Sequence, residues 1–124
     1  MLANQGQAAS VTRLLSPVSA ANTAAATSSW VDCTAAEGDI QITVITGAIT
    51  GGIVWTVEDA TDNSGTGGAA MTPNEGAFAA VTANTIQKRT VSANTCRGFM
   101  RVVGTITTGP VLVAASLQFQ PKYI

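Results

Sequence analysis

The stretch "DIQITVITGAITGGIVWTVED", residues 39–59, decides how this chain is read. In its first half Ile40, Ile42 and Val44 alternate with Gln41 and Thr43, and in its second Ile53, Trp55 and Val57 alternate with Val54 and Thr56. Successive strand side chains point to opposite sides, so this alternation predicts two strands, each with one buried face. The glycines of "GAITGG" supply positive φ for a tight connection, and the two strands are expected to pair as an antiparallel hairpin.

The same texture extends outward. "SSWVDC" (28–33) reads as a strand and "TAAEG" as a turn before residue 39. Beyond residue 59, residues 60–75 read as one long loop carrying Gly65, Gly67, Gly68 and Pro73. Strands resume at 78–81, 85–92, 98–105 and 111–119, the last two joined by "TTGP", whose Gly109 and Pro110 set a turn. In the final run Val111, Val113, Ala115, Leu117 and Phe119 hold one phase of the alternation. No segment has the period of an amphipathic helix. Short strands separated by Gly-rich turns predict an all-β fold, an antiparallel β-sandwich, with a small barrel, jelly-roll or Ig-like arrangement as alternatives.

Residues 1–28 differ in texture, with Ala, Ser, Thr, Asn and Gln surrounding one apolar knot, "VTRLL". Small polar side chains bury too little surface to offset the entropy of ordering. An extended N-terminal arm is therefore expected ahead of a sandwich domain of residues 29–124, with Leu14 and Leu15 anchoring it to the body or to a neighbour. The N-terminus lacks the basic and apolar regions of a secretory signal. No run approaches the roughly 20 apolar residues of a membrane span, so no membrane partner is expected.

The chain has 124 residues, enough for one domain with its own core. Charged residues make up 10%, well under the roughly 25% of ordinary soluble domains, which leaves a mild surface suited to contact with other protein. The net charge of −1 and the lack of clustered bases argue against a nucleic-acid partner. All seven acids lie between Asp32 and Glu75, while five of the six bases lie from Lys88 onward. Either the two signs pair across strands inside one sheet, or they meet between subunits.

Nothing marks a reaction centre. The chain has no His, the commonest general base and metal ligand, and neither Lys88 nor Lys122 sits in a nucleophile motif. No enzyme activity and no cofactor are expected. In "EDATDNSG" the oxygens of Glu58, Asp59, Asp62, Asn63 and Ser64 could suit Ca²⁺, but the spacing departs from an EF-hand loop. Asp62 and Asn63 capping a turn is the favoured reading. In "RGFMR" alternation puts Arg97, Phe99 and Arg101 on one face, with Phe99 expected in the core and the arginines paired with acids. Cys33 and Cys96 form no CxxC motif. They read as free thiols of a protein made in a reducing compartment, with a disulfide possible if their strands pack face to face.

Over residues 29–122 the chain resembles small structural proteins of tailed bacteriophages. The likeness is carried by "WVDCTAAEGDIQITVITGAITGGIVWTVEDATDNSG" and "RGFMRVVGTITTGPVLVAASLQFQPK": a W-V-D strand, E-G-D, an acidic D-A-T-D-x-S-G turn, an R-x-V strand and a last strand after a Gly turn. The resemblance implies a capsid decoration (cement) protein, made in the host cytoplasm and placed on the capsid surface of the virion. It would bind between major capsid protein subunits as a homotrimer or homodimer. A tail-associated or head-completion component, or a receptor- or glycan-binding module, is the alternative. Candidate contacts with capsid or sister subunit are Val11, Arg13, Leu14, Leu15, Asp59, Asp62, Arg97 and Arg101.

Overall fold

The computed structural model describes residues 10–20, 25–49, 51–107 and 110–121. These form strands β1 (Ser10–Ala20), β2 (Ala25–Thr27), β3 (Val31–Asp32), β4 (Ala36–Ile49), β5 (Ile53–Ala60), β6 (Ala69–Met71), β7 (Thr85–Ser92), β8 (Phe99–Ile106) and β9 (Val111–Pro121). β1, β9, β4 and β7 make one antiparallel sheet in that order; β2, β8, β5 and β6 make the other, with β3 added to β8. The chain is thus all-β, two antiparallel sheets packed as a sandwich.

The alternating sets named above form its filling. Ile40, Ile42 and Val44 of β4 and Val111, Val113, Ala115, Leu117 and Phe119 of β9 are buried, as are Ile53, Trp55 and Val57 of β5 and Met100, Val102 and Ile106 of β8. Each large side chain removed from water contributes about 1.5–3 kcal/mol, against the entropy of ordering the strands. Trp55 Nε1 donates to Thr46 Oγ1 at 3.3 Å, a buried bond that joins the sheets and satisfies both polar groups. Opposite Trp55 on β8 stands Gly104, where a Cβ would come within 2.7 Å of Ile53 Cδ1. Its missing side chain makes room for the indole.

β4 and β5 do not pair with each other. β4 and β5 lie in different sheets, and so do β8 and β9. These two arches stack, so that β4 pairs with β9 (Ile42↔Leu117) and β5 with β8 (Glu58↔Arg101). A hairpin and an arch show the same alternation, since both aim their apolar faces at one core; only the partner strand separates them. Gly52 serves close approach and not positive φ. The Thr107 amide donates to the Gly52 carbonyl at 3.0 Å, and a Cβ on Gly52 would lie 3.0 Å from Thr107 Oγ1.

Other expectations shift similarly. The strand expected at 78–81 reduces to a bridge between Val81 and Ile53. Only Val31–Asp32 of 28–33 is strand. The loop expected over 60–75 contains β6, which folds back on β5. Gly109 lies outside the described residues.

The N-terminal segment is extended, but what is described of it is laid into the sheets. β1 pairs with β9 from Ser10↔Phe119 to Ala20↔Val111, and β2 pairs with β8. Leu14, 6% exposed, belongs to the core. Residues 1–9 of the expected arm lie outside the described residues. Pro17 and two register irregularities mark β1 as an edge strand that resists further pairing. The opposite edge, β7, is covered by residues 74–79. Glu75 accepts from the Thr90 amide and hydroxyl at 2.8 and 2.7 Å, and the Gln87 side chain bonds both the amide and the carbonyl of Ala79.

Candidate functional site

The β5–β8 ladder sets Glu58 directly opposite Arg101, whose Nε donates to Glu58 Oε1 at 2.7 Å. The Arg101 guanidinium lies 4.4 Å from the centre of the Trp30 ring, a cation–π stack. At the end of β5, Asp59 Oδ2 accepts from the Arg97 amide at 3.0 Å and Oδ1 from Arg97 Nη2 at 2.9 Å, while the same Nη2 reaches the Asp59 carbonyl at 2.9 Å. Burial pushes the Asp59 carboxyl up, but the Arg97 hydrogen bonds and charge outweigh it and hold the group below the ordinary Asp range. These acids and bases therefore meet within one chain, Glu58–Arg101 across a pair of strands and Asp59–Arg97 at its end.

Residues 61–68 close the β5–β6 hairpin over this cluster. The Thr66 hydroxyl donates to Asp62 Oδ2 at 2.6 Å, and the Thr66 and Ser64 amides donate to Oδ1 at 3.1 and 2.9 Å. The Thr66 bonds, with those from Ser64 and Gly65, hold the Asp62 carboxyl below its usual value. Its oxygens organise the turn, the role that an Asx cap plays. Gly65 takes φ +83°, and a Cβ there would lie 2.8 Å from Trp30 Nε1. Glycine at this point lets the loop settle on the indole.

The structure brings Asp59, Asp62, Arg97 and Arg101 together at one end of the β5–β8 sheet. It puts the N-terminal candidates on the other sheet: Val11 is opposite Gln118, Arg13 is exposed opposite Ser116, Leu14 is buried and Leu15 is half-buried. Phe99 does not enter the core; it shares the outer phase of β8 with Arg101, while Met100 is buried. Two participants escaped the sequence reading. Glu58 counted among the acids expected to meet the later bases but not among the candidate contacts, and Trp30 read as an ordinary strand residue, because nothing local shows a loop folding back onto it.

The outer face of the first sheet carries a different surface. Lys88, Thr43, Ser116 and Arg13 stand directly opposite one another across β7, β4, β9 and β1. The next row holds Ile86, Ile45 and Ala114. Ile86 is 68% exposed, Leu112 47% and Ile45 40%. Ile45 and Leu112 line one shallow apolar depression with Gly47 and Ala114. Ile45 falls on the polar phase of β4, a signal legible in sequence once the inward phase is assigned.

Chemically, the charged cluster is self-contained: both carboxylates and both guanidinium groups bond each other, tying two strands and a loop. Among the described residues, no three Cys, Asp or Glu side chains stand together as a metal-binding group.

No protein-family model matches the chain, and no curated protein matches its sequence. Among solved structures the chain is similar to the crystal structure of PirA, with 6% identity and a TM-score of 0.49 over 92% of this chain and 94% of that one.

Proposed function

We propose that this protein is a non-enzymatic structural component of a virion, a capsid decoration protein that seats the outer face of its β1-β9-β4-β7 sheet on major capsid protein subunits. The observation that carries this reading is the contiguous exposure of Ile86, Ile45 and Leu112 on that face. Apolar side chains gathered on an outer sheet face, rimmed by Thr, Ser and basic residues, mark a protein-binding surface. The bacteriophage resemblance over residues 29–122 supplies the capsid as partner, and the internal pairing of the charged residues supports a scaffold over a catalyst.

Because β1 is part of the sheet and Leu14 is buried, deleting residues 1–28 would damage the fold as well as any contact. Point variants are the cleaner test. Heads stripped of the protein are mixed with wild type or Ile86→Glu and sedimented. Wild type is expected to pellet with heads at saturating stoichiometry and the variant to stay in the supernatant. Equal binding by both removes the sheet face from the reading.

A second reading rests on a polar depression of ≈360 Å³ lined by Glu37, Asp39, Gln41, Thr90, Gln118 and Gln120. Carboxylates, amides and a hydroxyl of this kind suit sugar hydroxyls, which favours a receptor- or glycan-binding tail component. Detection in isolated tails and absence from DNA-filled heads would select that reading over the first.

A further inference from the structure

The pairing of β3 with β8, Val31↔Met100 and Asp32↔Phe99, carries one step further to set Cys33 opposite Gly98. The Cys33 amide accordingly donates to the Gly98 carbonyl at 2.7 Å. Cys96, two residues before Gly98, lies in the bend just outside the ladder and faces the same cleft as Cys33. Gly98 puts no side chain between them, and its own amide points at Cys96 Sγ, 3.5 Å away. Both cysteines line one open cleft of ≈290 Å³ with Thr34, Ala36, Asn94 and Arg97. Cys33 is 4% exposed and Cys96 is half-buried. Cys96 ends the turn of residues 93–96 that leads into β8, a segment freer to shift than a ladder position.

We infer that Cys33 and Cys96, both free thiols in this structure, form an oxidisable pair that closes into an intramolecular disulfide on exposure to a small organic disulfide. Burial, together with the neighbouring Cys96 and Asp32, pushes the Cys33 thiol up to about 12, and burial also raises Cys96. Both thiols therefore stay protonated and quiescent near neutral pH. The more open Cys96 reacts first. Its thiolate attacks one sulfur of the small disulfide, forming a mixed disulfide and expelling one small thiolate. Cys33, losing its proton to solvent, then attacks Cys96 Sγ and expels the second small thiol. The protein loses two electrons and two protons, and the oxidant leaves as two thiols. The product ties the β3–β4 turn to the β7–β8 turn and closes a long loop, which constrains the unfolded chain. The inference rests on this chain alone and not on the capsid reading.

The test incubates the full chain with oxidised glutathione at about pH 8.5, where the small reactive thiolate fraction is larger than near neutral pH, followed by peptide mapping without reductant and a thermal melt. The expected result is a Cys33–Cys96 linked peptide in monomeric protein, and a melting temperature raised by about 10 °C that reductant reverses. Cys33→Ser should instead accumulate a stable glutathione adduct on Cys96, because the resolving thiol is gone. A wild-type product carrying only that adduct, or a dimer linked Cys96 to Cys96, overturns the inference, and this readout stands even if the Cys33 variant fails to fold.

Discussion

The two sheets share a core but present opposite outer faces. On the β5–β8 sheet, Glu58 finds Arg101 on the adjacent strand and Asp59 finds Arg97 just ahead of it, and the 61–68 turn closes over Trp30, so polar groups are consumed in holding the chain together. On the β1-β9-β4-β7 sheet, Arg13 and Lys88 stand at opposite ends of a row with Thr43 and Ser116 between them, and Ile45, Ile86 and Leu112 face solvent. The first face is spent on internal stability; the second is the face we propose for contact outside the chain. Substitutions on the first should therefore read out in folding and those on the second in binding.

The largest effect is expected beneath the charged ladder. Gly104→Val forces side-chain atoms into a space where even a Cβ would meet Ile53 Cδ1 at 2.7 Å and Trp55 Cζ3 at 3.1 Å. Overpacking of this kind costs about 3 kcal/mol, a large share of the stability of a small domain. On the other sheet, Gly47→Ala meets Leu112 Cβ at 3.1 Å, a milder contact that a backbone shift of a few tenths of an ångström relieves. Urea titration should show a strongly lowered midpoint for the first variant and a midpoint close to wild type for the second. Equal midpoints would erase the distinction.

Next in size is the buried carboxylate. Asp59→Ala strips Arg97 of its backbone and side-chain acceptor and should cost about 2 kcal/mol. Asp59→Asn gives the sign of the electrostatic part. Asp59 holds its proton less tightly in the folded chain than in the unfolded one, so its contribution is fully present above an ordinary Asp pKa of about 4 and is lost as pH falls through the lower folded value. Wild type should therefore lose stability below about pH 4 more steeply than Asp59→Asn. Matching acid limbs would show that the Arg97 pair contributes nothing to the balance.

What could be read in advance follows from the range of each signal. Inward faces of β4, β5 and β9 were legible because alternation is local: Ile40, Ile42, Val44, Ile53, Trp55, Val57 and the β9 set are all buried as their phase requires. Strand partnership was not, because an arch and a hairpin present the same local pattern, and "GAITGG" looks like either. The knot "VTRLL" gave no sign of β9 as its partner, since that pairing joins the two ends of the chain. At the cluster, the acid–base division of the sequence offered cross-strand pairing as one of two options, without saying which acid meets which base. The seat of Trp30 under Gly65 is set by a loop closing across a hairpin, and no residue near Trp30 encodes it.

A smaller effect tests how firmly that loop is held. Gly65 sits at φ +83° and a Cβ would approach Trp30 Nε1 at 2.8 Å, so Gly65→Ala combines backbone strain with a steric push on the indole. The expected cost is about 1–2 kcal/mol, with a change in Trp30 fluorescence that Trp30→Phe removes. An unchanged emission spectrum would mean that the loop and the indole are not in register in solution, and the face would then be less closed than its partner sheet demands.

The smallest effect on folding is expected at the apolar face, where the proposed function predicts the greatest effect on binding. Ile86 is 68% exposed and lies two residues from Lys88 on the same side of β7, so Ile86→Glu exchanges solvent-facing hydrocarbon for a carboxylate beside a cation. Stability should change by about 0.5 kcal/mol or less, since no core contact is lost. Binding to a protein surface should fall much further, because a buried interface would have to desolvate the new charge without a dedicated partner. A variant that unfolds at the wild-type urea midpoint yet no longer sediments with heads separates the two faces by function. A variant that loses stability as sharply as Asp59→Ala would mean that this face, too, is spent on holding the chain together.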